Sequence, residues 1–367
     1  MITVQGPLAG IRVLEFAGLG PGPFAGTLLS DFGADVVRIY RKGAVDPDKF
    51  RFDGRGRRAI ALDLKDPADI DKVLALAEKA ELVLEGNRPG VMERLGLGPD
   101  AMLARNPALV YGRMTGWGQY GPQSAAAGHD INYLAISGAL HAIGTPDKPI
   151  APLNLVGDYG GAMFLVAGML AALLHARTTG QGQVVDVAMT DCAAYLMSPF
   201  YGRRASGDWK DQRASNLLDG GAPFYDTYRC SDDRWIAIGS LEPQFYRLLL
   251  DLTGMADTLT GPQMEKANWP EYKAQFAAVF ATKTRDEWCA LMDGTDACFA
   301  PVLTLDEAPQ HSHNVARSTF IDLDGVTLPA PAPRFSATPA AVQWPPRPIN
   351  RDPDAALSCW ADDFAIS

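Results

Sequence analysis

The chain has 367 residues, 47% hydrophobic and 21% charged, a composition that argues against disordered, collagen-like and membrane classes and for a folded globular protein. At roughly 150 residues per domain it predicts two domains, and a chain of this size buries about 75% of the surface its unfolded form exposes. Thirty-three Lys and Arg against 43 Asp and Glu give a formal charge of −10, which repels a phosphodiester backbone and argues against nucleic acid as the main partner.

Cys192, Cys230, Cys289, Cys298 and Cys359 are odd in number, far apart and free of any C-x-x-C, which speaks against a disulfide framework or a zinc site and for a reducing compartment. The start, MITVQGPLAGIRVLEF, lacks the features of a secretory signal, and the final AIS is no peroxisomal address, so a cytoplasmic location is expected. The most apolar run, Ala162 to Leu174, has 13 residues against the ~20 that span a bilayer; it predicts a buried core helix and no membrane partner.

In chain order, short β-branched runs occur at 12–16, 35–40, 59–64, 81–85 and 108–114, separated by amphipathic stretches such as Ala68 to Lys79. The pattern is β-α-β and predicts an α/β fold with a mostly parallel, Rossmann-like sheet. A long helix over about Asp158 to Arg177 and a late strand at 183–189 complete a large domain, residues 1–200. Tyr201 to Pro223 turns polar and irregular, reading as a linker (201–223) to a smaller α+β domain over 224–324. There, 227–240 reads as a hairpin turning at Ser231, Asp232 and Asp233, followed by helices near 243–253, 270–282, 284–293 and 304–316. The proline-rich tail from 325 to 367 predicts an extended strap returning to the large domain.

Between Arg38 and Lys65 nine cations face four anions, a local +5 on an acidic protein. Such an island suits a polyanionic small ligand, or is a surface loop balanced by acids elsewhere in the fold. GLGPGPFAG at 18–26 sits where a dinucleotide fingerprint would, but Pro23 stands at the third glycine and Arg38 ends the second strand in place of an acid. His129 and Asp130 lie in GHDINY at a predicted helix start, where a neutral imidazole suits a general base and a structural histidine is the plainer reading. Asp158, in NLVGDYGGAMF, is either a helix cap, with Asn154 as a turn former, or an acid beside glycines whose free N–H groups stabilise a developing oxyanion. Glu242 precedes a proline at a strand-to-helix junction. His141, His175, His311 and His313 lack partners at metal-ligand spacing, and no H-E-x-x-H, G-x-S-x-G or Walker sequence occurs. Met163, Met169, Met189 and Met197 form either an adaptable apolar lining or ordinary core.

Together, GPLAGIRVLEFAGLGPGPFAG, LLSDFGADVVRIYR, EGNRPGVMERLGLGP, RMTGWGQYGPQSAAAGHDINYLAISGALHAIG, NLVGDYGGAMF, GQGQVVDVAM, LDGGAPFYDTY, EPQFY and DACFAPVLTLDEA closely resemble the class III CoA-transferase family and, within it, the α-methylacyl-CoA racemases. The resemblance runs from Gly6 to about Glu307 and implies a Rossmann-like large domain, a small domain, and two chains threaded into an interlocked homodimer. It implies that acyl-CoA is the substrate, its nucleotide end held by Arg38, the backbone around Ala59 to Leu62, and Arg88, with Gly86, Asn87 and Met92 along the pantetheine. Family transferases use an aspartate matched by Asp158 as a nucleophile; racemases pair it with a histidine, and the GHD here matches theirs. The implied reaction is epimerisation of 2-methyl-branched acyl-CoA in fatty-acid metabolism. His129 and Asp158 would move the α-proton through an enolate facing the helix start near Asp158. Glu242 from the partner's small domain would orient His129, Asp130 and Asn154 would support the pair, and Tyr225 would line the mouth. No metal or redox cofactor is implied, since CoA arrives on the substrate. The alternative is CoA transfer to a free carboxylic acid through an aspartyl intermediate at Asp158.

Overall fold

β1 (Arg12–Phe16), β2 (Asp35–Arg41), β3 (Arg57–Leu62), β4 (Leu82–Glu85), β5 (Val110–Thr115) and β6 (Gln183–Ala188) form one sheet in the order β3-β2-β1-β4-β5-β6, with every neighbouring pair parallel. Each strand begins and ends within two residues of the run that predicted it. The computed structural model describes residues 6–358 and residue 360; Met1 to Gln5, Cys359 and the AIS tripeptide lie outside the described residues.

Neighbouring residues of a strand point to opposite faces, so each run feeds two cores. Val13, Val36, Leu82, Leu84 and Val110 pack with the helices Pro21–Asp31 and Gly160–Thr179, while Leu14, Val37, Ile60, Val83 and Tyr111 pack with the helix Pro67–Lys79. That last helix starts where expected: Asp66 accepts the Ala68 N–H at 3.0 Å and Pro67 occupies the first turn. From β1 the chain builds outward through β2 and β3, then returns to the other side of β1 for β4. This reversal opens a crevice at the carboxyl ends of β1 and β4, the place where ligands bind in open parallel sheets.

The helix expected from Asp158 begins later. Leu155–Tyr159 forms a wide π-type turn, and the α-helix runs over Gly160–Thr179. By length and composition Leu155–Thr179 is apolar enough to cross a membrane. Here Leu165, Val166, Met169 and Leu173 are buried in the core beside β5 and β6, while Met163 and Leu174 stay exposed.

The chain divides into two compact units: the described parts of Met1–Ser137, Pro152–Leu196 and Val315–Ser367, and Gly138–Ala151 with Met197–Asn314. These bounds differ from 200, 223 and 324, because 138–151 groups with the second unit and 315–324 with the first. The stretch read as a linker is ordered. It carries a helix, Ser198–Ser206, with no buried residue to give it an apolar stripe, then a turn organised by the fully buried Asn216. The Asn216 amide donates to Lys210 O (3.0 Å), Gln212 O (3.1 Å) and Asp219 Oδ2 (2.8 Å).

In the second unit β7 (Tyr225–Arg229), β8 (Trp235–Gly239) and β9 (Phe299–Pro301) form an antiparallel sheet under the helices Pro243–Thr253, Trp269–Phe280 and Arg285–Met292. Phe224, Tyr228, Phe276, Phe280 and Trp288 fill the space between. The short β9 was not expected, and the helix predicted over 304–316 breaks into a turn at Ala308–Gln310 and a short helix, Ser312–Ala316.

The first unit's closing segment holds a hairpin absent from the sequence reading: β10 (Phe320–Leu323) and β11 (Val326–Pro329) join through Asp324 (φ 52°) and Gly325 (φ 77°), the two positive φ values such a turn needs. A strap follows. Gln343 donates to Ser30 O (2.7 Å) and Ala34 O (2.9 Å), and Trp344 Nε1 to Arg57 O (3.1 Å). Asn350 bridges to Ile60 through Ala59 O (2.8 Å) and Ala61 N (2.9 Å), covering the outer edge of β3.

Candidate active site

A cavity of about 260 Å³ occupies the crevice. Leu19, Pro21 and Gly22 after β1 form one wall, Gly86 to Pro89 after β4 a second, and Met114 to Trp117 at the end of β5 the floor, closed by Ser124, Ala126 to His129, Tyr133 and Met189.

His129 stands exposed on this wall, immediately before the helix Asp130–Ser137. Its N–H donates to Asn132 Oδ1 (3.0 Å) and its carbonyl accepts the Asn132 N–H (2.8 Å), a reciprocal pair that fixes its backbone. The buried Tyr133 donates its hydroxyl to Gly128 O and packs edge-on against Trp117 at 4.7 Å. A Cβ at Gly128 would lie 2.8 Å from Tyr133 and 2.9 Å from Trp117, so any larger residue before His129 must displace main chain or these rings.

Asp158 lies in the turn Leu155–Tyr159 at 9% exposure, outside the cavity's lining. Asn154 Nδ2 donates to its Oδ2 (2.7 Å), and its own N–H donates to Oδ1 of the buried Asp130 (2.8 Å). Asp130 Oδ2 is buried with no hydrogen-bond partner. Burial pushes the Asp158 carboxyl above the ordinary range; the Asn154 hydrogen bond pulls it down, the Asp130 charge pushes it up, His129 pulls it down, and the net shift is upward. The structure thus brings His129, Asp130, Asn154 and Asp158 into one electrostatic neighbourhood, and the arrangement suits proton transfer.

The helix start, however, holds no free amides at Asp158 to Gly160 for an oxyanion. The Asp158 N–H serves Asp130, the Tyr159 N–H serves Asn154 O (3.0 Å), and the Gly160 N–H turns back to Leu155 O and Gly157 O. An early wide turn, in place of a clean helix start, uses these donors internally.

The expected CoA-binding set divides. Gly86, Asn87 and Arg88 line the cavity. Met92 is fully buried and supports the loop from behind, its Sδ accepting from Asn87 Nδ2 (3.3 Å). The loop's other anchor, missed in the sequence, is Glu85: its carboxylate accepts the Asn87 N–H (2.6 Å) and the Arg113 Nε (3.0 Å). Arg38 does not present itself to a ligand. It is 2% exposed, with Nη1 on Asp53 O (2.7 Å), Nη2 on Gly18 O (3.3 Å) and Nε 3.2 Å from Glu15. The Ala59 carbonyl and Ala61 N–H are taken by Asn350, and the Leu62 carbonyl by the Lys42 N–H (3.0 Å).

The +5 island is largely neutralised by acids from elsewhere in the chain. From outside the island Glu15 pairs with Arg38 and Arg57, Asp31 with Arg55 (2.6 Å) and Asp35 with Arg58 (3.1 Å), while the island's own Asp53 takes Arg51 (2.7 Å). Its exposed cations at the carboxyl ends of β2 and β3 are Arg41, Lys42 and Lys65. Of the methionines, Met189 reaches the cavity and Met169 is core.

Tyr225 and Glu242 belong to the second unit. Tyr225 borders a concavity on β7, β8 and β9 with Ile238 and Phe299. Glu242 is exposed at the start of helix Pro243–Thr253, where its side chain caps no helix amide.

Residues 8–352 match the model of CoA-transferase family III. The chain is 48% identical over 337 residues to the mouse (Mus musculus) protein named alpha-methylacyl-CoA racemase, covering 91% of this chain and 87% of that protein. It is 46% identical over 340 residues to the human (Homo sapiens) protein of the same name, with coverage of 91% and 87%. A crystal structure from Mycobacterium tuberculosis superposes with a TM-score of 0.81 at 28% identity, covering 97% of this chain and 100% of that one.

Proposed function

We propose that this chain, which belongs to CoA-transferase family III, epimerises 2-methyl-branched acyl-CoA thioesters by moving the proton on the carbon α to the thioester. The observation that carries this reading is the pairing of His129, on the wall of the switch-point cavity, with the buried, upward-shifted Asp158. Its likeness to two mammalian proteins named as racemases supports the choice of reaction.

With the pantetheine along Gly86 to Pro89, one group takes the α-proton, the electron pair delocalises onto the thioester oxygen as an enolate, and the other group returns a proton to the opposite face. His129 and Asp158 exchange roles with the substrate's configuration. A carboxyl raised by burial is a stronger base when ionised and keeps its proton at higher pH, which suits both directions of one reaction. One proton moves and no electron does, so the reaction calls for no cofactor beyond the CoA on the substrate. Arg88 in the cavity and Arg41, Lys42 and Lys65 at the strand ends are the exposed cations for the nucleotide phosphates.

The interlocked homodimer remains part of this reading, with Glu242 of a second copy orienting His129. The uncapped, exposed Glu242 and the exposed apolar side chains Met163 and Leu174 on the long helix support it.

The test is to incubate the purified protein with one pure epimer of a 2-methylacyl-CoA in deuterated water, without any free acid, and follow the α position by NMR. Loss of the α-proton with growth of the other epimer is expected. Retention of the α-proton, with a new thioester formed only when a free carboxylic acid is added, would replace this reading with CoA transfer through Asp158.

A further inference from the structure

The turn Gly18–Pro23 forms the crevice wall beside Asp158, and no side chain in it carries a charge. Gly20 has φ 70°, and a Cβ there would sit 3.1 Å from Asp158 Oδ2, so the turn's backbone lies close against that carboxylate. Something must hold this backbone in place.

Glu15, at the carboxyl end of β1 beneath the turn, is completely buried, as are Arg38 and Arg57 around it. Arg57 Nε donates to Glu15 Oε2 (2.9 Å), and Arg38 Nε lies 3.2 Å from Oε1. The remaining nitrogens aim at main chain. Arg38 Nη2 donates to Gly18 O (3.3 Å) and Arg57 Nη2 to Pro23 O, so the two guanidinium forks grip the two ends of the turn. Arg57 Nη1 also donates to Thr27 Oγ1 (2.7 Å), whose hydroxyl donates to the same Pro23 carbonyl (2.9 Å). Helix Pro21–Asp31 runs directly onto the cluster: a Cβ at Gly26 would lie 2.5 Å from Glu15 Oε2 and 2.8 Å from Arg57 Nη2.

A buried carboxylate with two guanidinium groups adds little stability over an apolar core of the same volume. What planar, charged forks add is aim, since each holds its carbonyl in one direction. We propose that Glu15, Arg38 and Arg57 are positioning residues that clamp the Gly18–Pro23 turn against Asp158. The inference rests on the reading of Asp158 as a proton-transfer group.

The charged or titratable groups around Asp158 are Asp130 and Tyr133 on the helix Asp130–Ser137 and His129 before it, with the Asn154 amide at hydrogen-bond distance. None of these belongs to the clamp, so a receding turn changes chiefly the access of water. With more water the Asp158 carboxyl loses part of its upward shift, and the acid limb of kcat moves to lower pH.

The experiment compares wild type with Arg38→Lys, which keeps the charge but cannot span Gly18 O and Asp53 O, and with the near-isosteric Thr27→Val, which removes the hydroxyl from the Pro23 end. α-Proton exchange is followed against pH, with KM and melting temperature. Arg38→Lys should lower kcat about tenfold, as a small misplacement beside a reacting group does, and Thr27→Val about fivefold, as loss of one hydrogen bond does. Both should move the acid limb to lower pH and lower kcat by more than they raise KM, because the turn is one wall of the cavity while the 86–89 wall is untouched. If Arg38→Lys fails to fold, Thr27→Val decides. Wild-type kcat and acid limb in a folded variant overturn the clamp, whatever its melting temperature. A wild-type chain that exchanges no α-proton overturns the reading of Asp158, and the clamp's purpose with it.

Discussion

Replacing Gly128 by alanine tests the placement of His129 with one methyl group. The position has no positive φ, so alanine meets no backbone penalty there and the effect is purely one of space. The new Cβ would lie 2.8 Å from Tyr133 Cε1 and 2.9 Å from Trp117 Cζ2, in rings already packed on each other at 4.7 Å. Carbon atoms prefer about 3.5–4.0 Å, so main chain or rings must yield by roughly 0.8 Å. Overpacking of this kind costs about 1–3 kcal/mol. At about 2–4 °C per kcal/mol for a unit of some 150–250 residues, the melting temperature should fall by roughly 2–12 °C. The residue carried along is His129, and a misplacement near 1 Å costs about a hundredfold in rate. We therefore expect α-proton exchange in deuterated water to drop between about tenfold and a hundredfold, with KM little changed. Gly202→Ala is the control: it lies in the helix Ser198–Ser206 with no atom within 4 Å of its Cβ position. It should be neutral in rate and up to about 1 kcal/mol stabilising. If Gly128→Ala melts lower as expected but keeps kcat within twofold of wild type, His129 does not act from the place assigned to it.

Further outcomes follow from the same geometry. His129→Gln and Asp158→Asn should each slow epimer interconversion by at least about a hundredfold, each retaining exchange of one epimer only; retention of both epimers' exchange in either variant refutes the division of roles. Asn154→Ala removes the donor that favours the ionised Asp158 carboxyl, so the acid limb of kcat, already raised by burial, should move to still higher pH; an unmoved limb would separate Asp158 from the titration. In the second unit the Glu307 carboxyl is held down at about 2 by Arg285, which donates to both its oxygens at 2.7 and 3.0 Å, and by the Thr304 N–H at 2.9 Å. A depressed native value stabilises above the unfolded value of about 4.5 and is lost as pH falls toward 2. Glu307→Gln should therefore melt lower than wild type at pH 7, with the gap closing between pH 4.5 and 2; a constant gap would show that the ion pair does not link to protons.

Much of the architecture was legible because it depends on local patterns. β-Branched runs bounded by turn residues marked all six parallel strands, and the amphipathic stretch from Ala68 to Lys79 marked the helix Pro67–Lys79. The missed hairpin at 320–329 had a signal, Asp324-Gly325, obscured by the proline-rich stretch after it. The ordered turn around Asn216 had none, since one amide satisfying three acceptors is a tertiary fact that polar composition conceals.

The site divides along the same line. His129, Asp130, Asn154 and Asp158 were named from short motifs, and Gly86, Asn87 and Arg88 from the family resemblance of the loop after β4. Sequence by itself determined the parallel sheet and the crevice-forming loops, because periodicity and glycine-rich turns are written in adjacent residues; His129 and Asp158 were singled out as a pair only by the family resemblance. Only the tertiary structure decided which charges a ligand can meet. Arg38 reads in sequence as a free cation on a basic strand, yet its guanidinium is buried against Glu15, Asp53 and Gly18, residues 15 to 23 positions away. A charge acts through its surroundings, and a buried guanidinium must be fully paired. Whether an arginine binds substrate or holds a turn in place is therefore set by folding, and not by its neighbours in the chain.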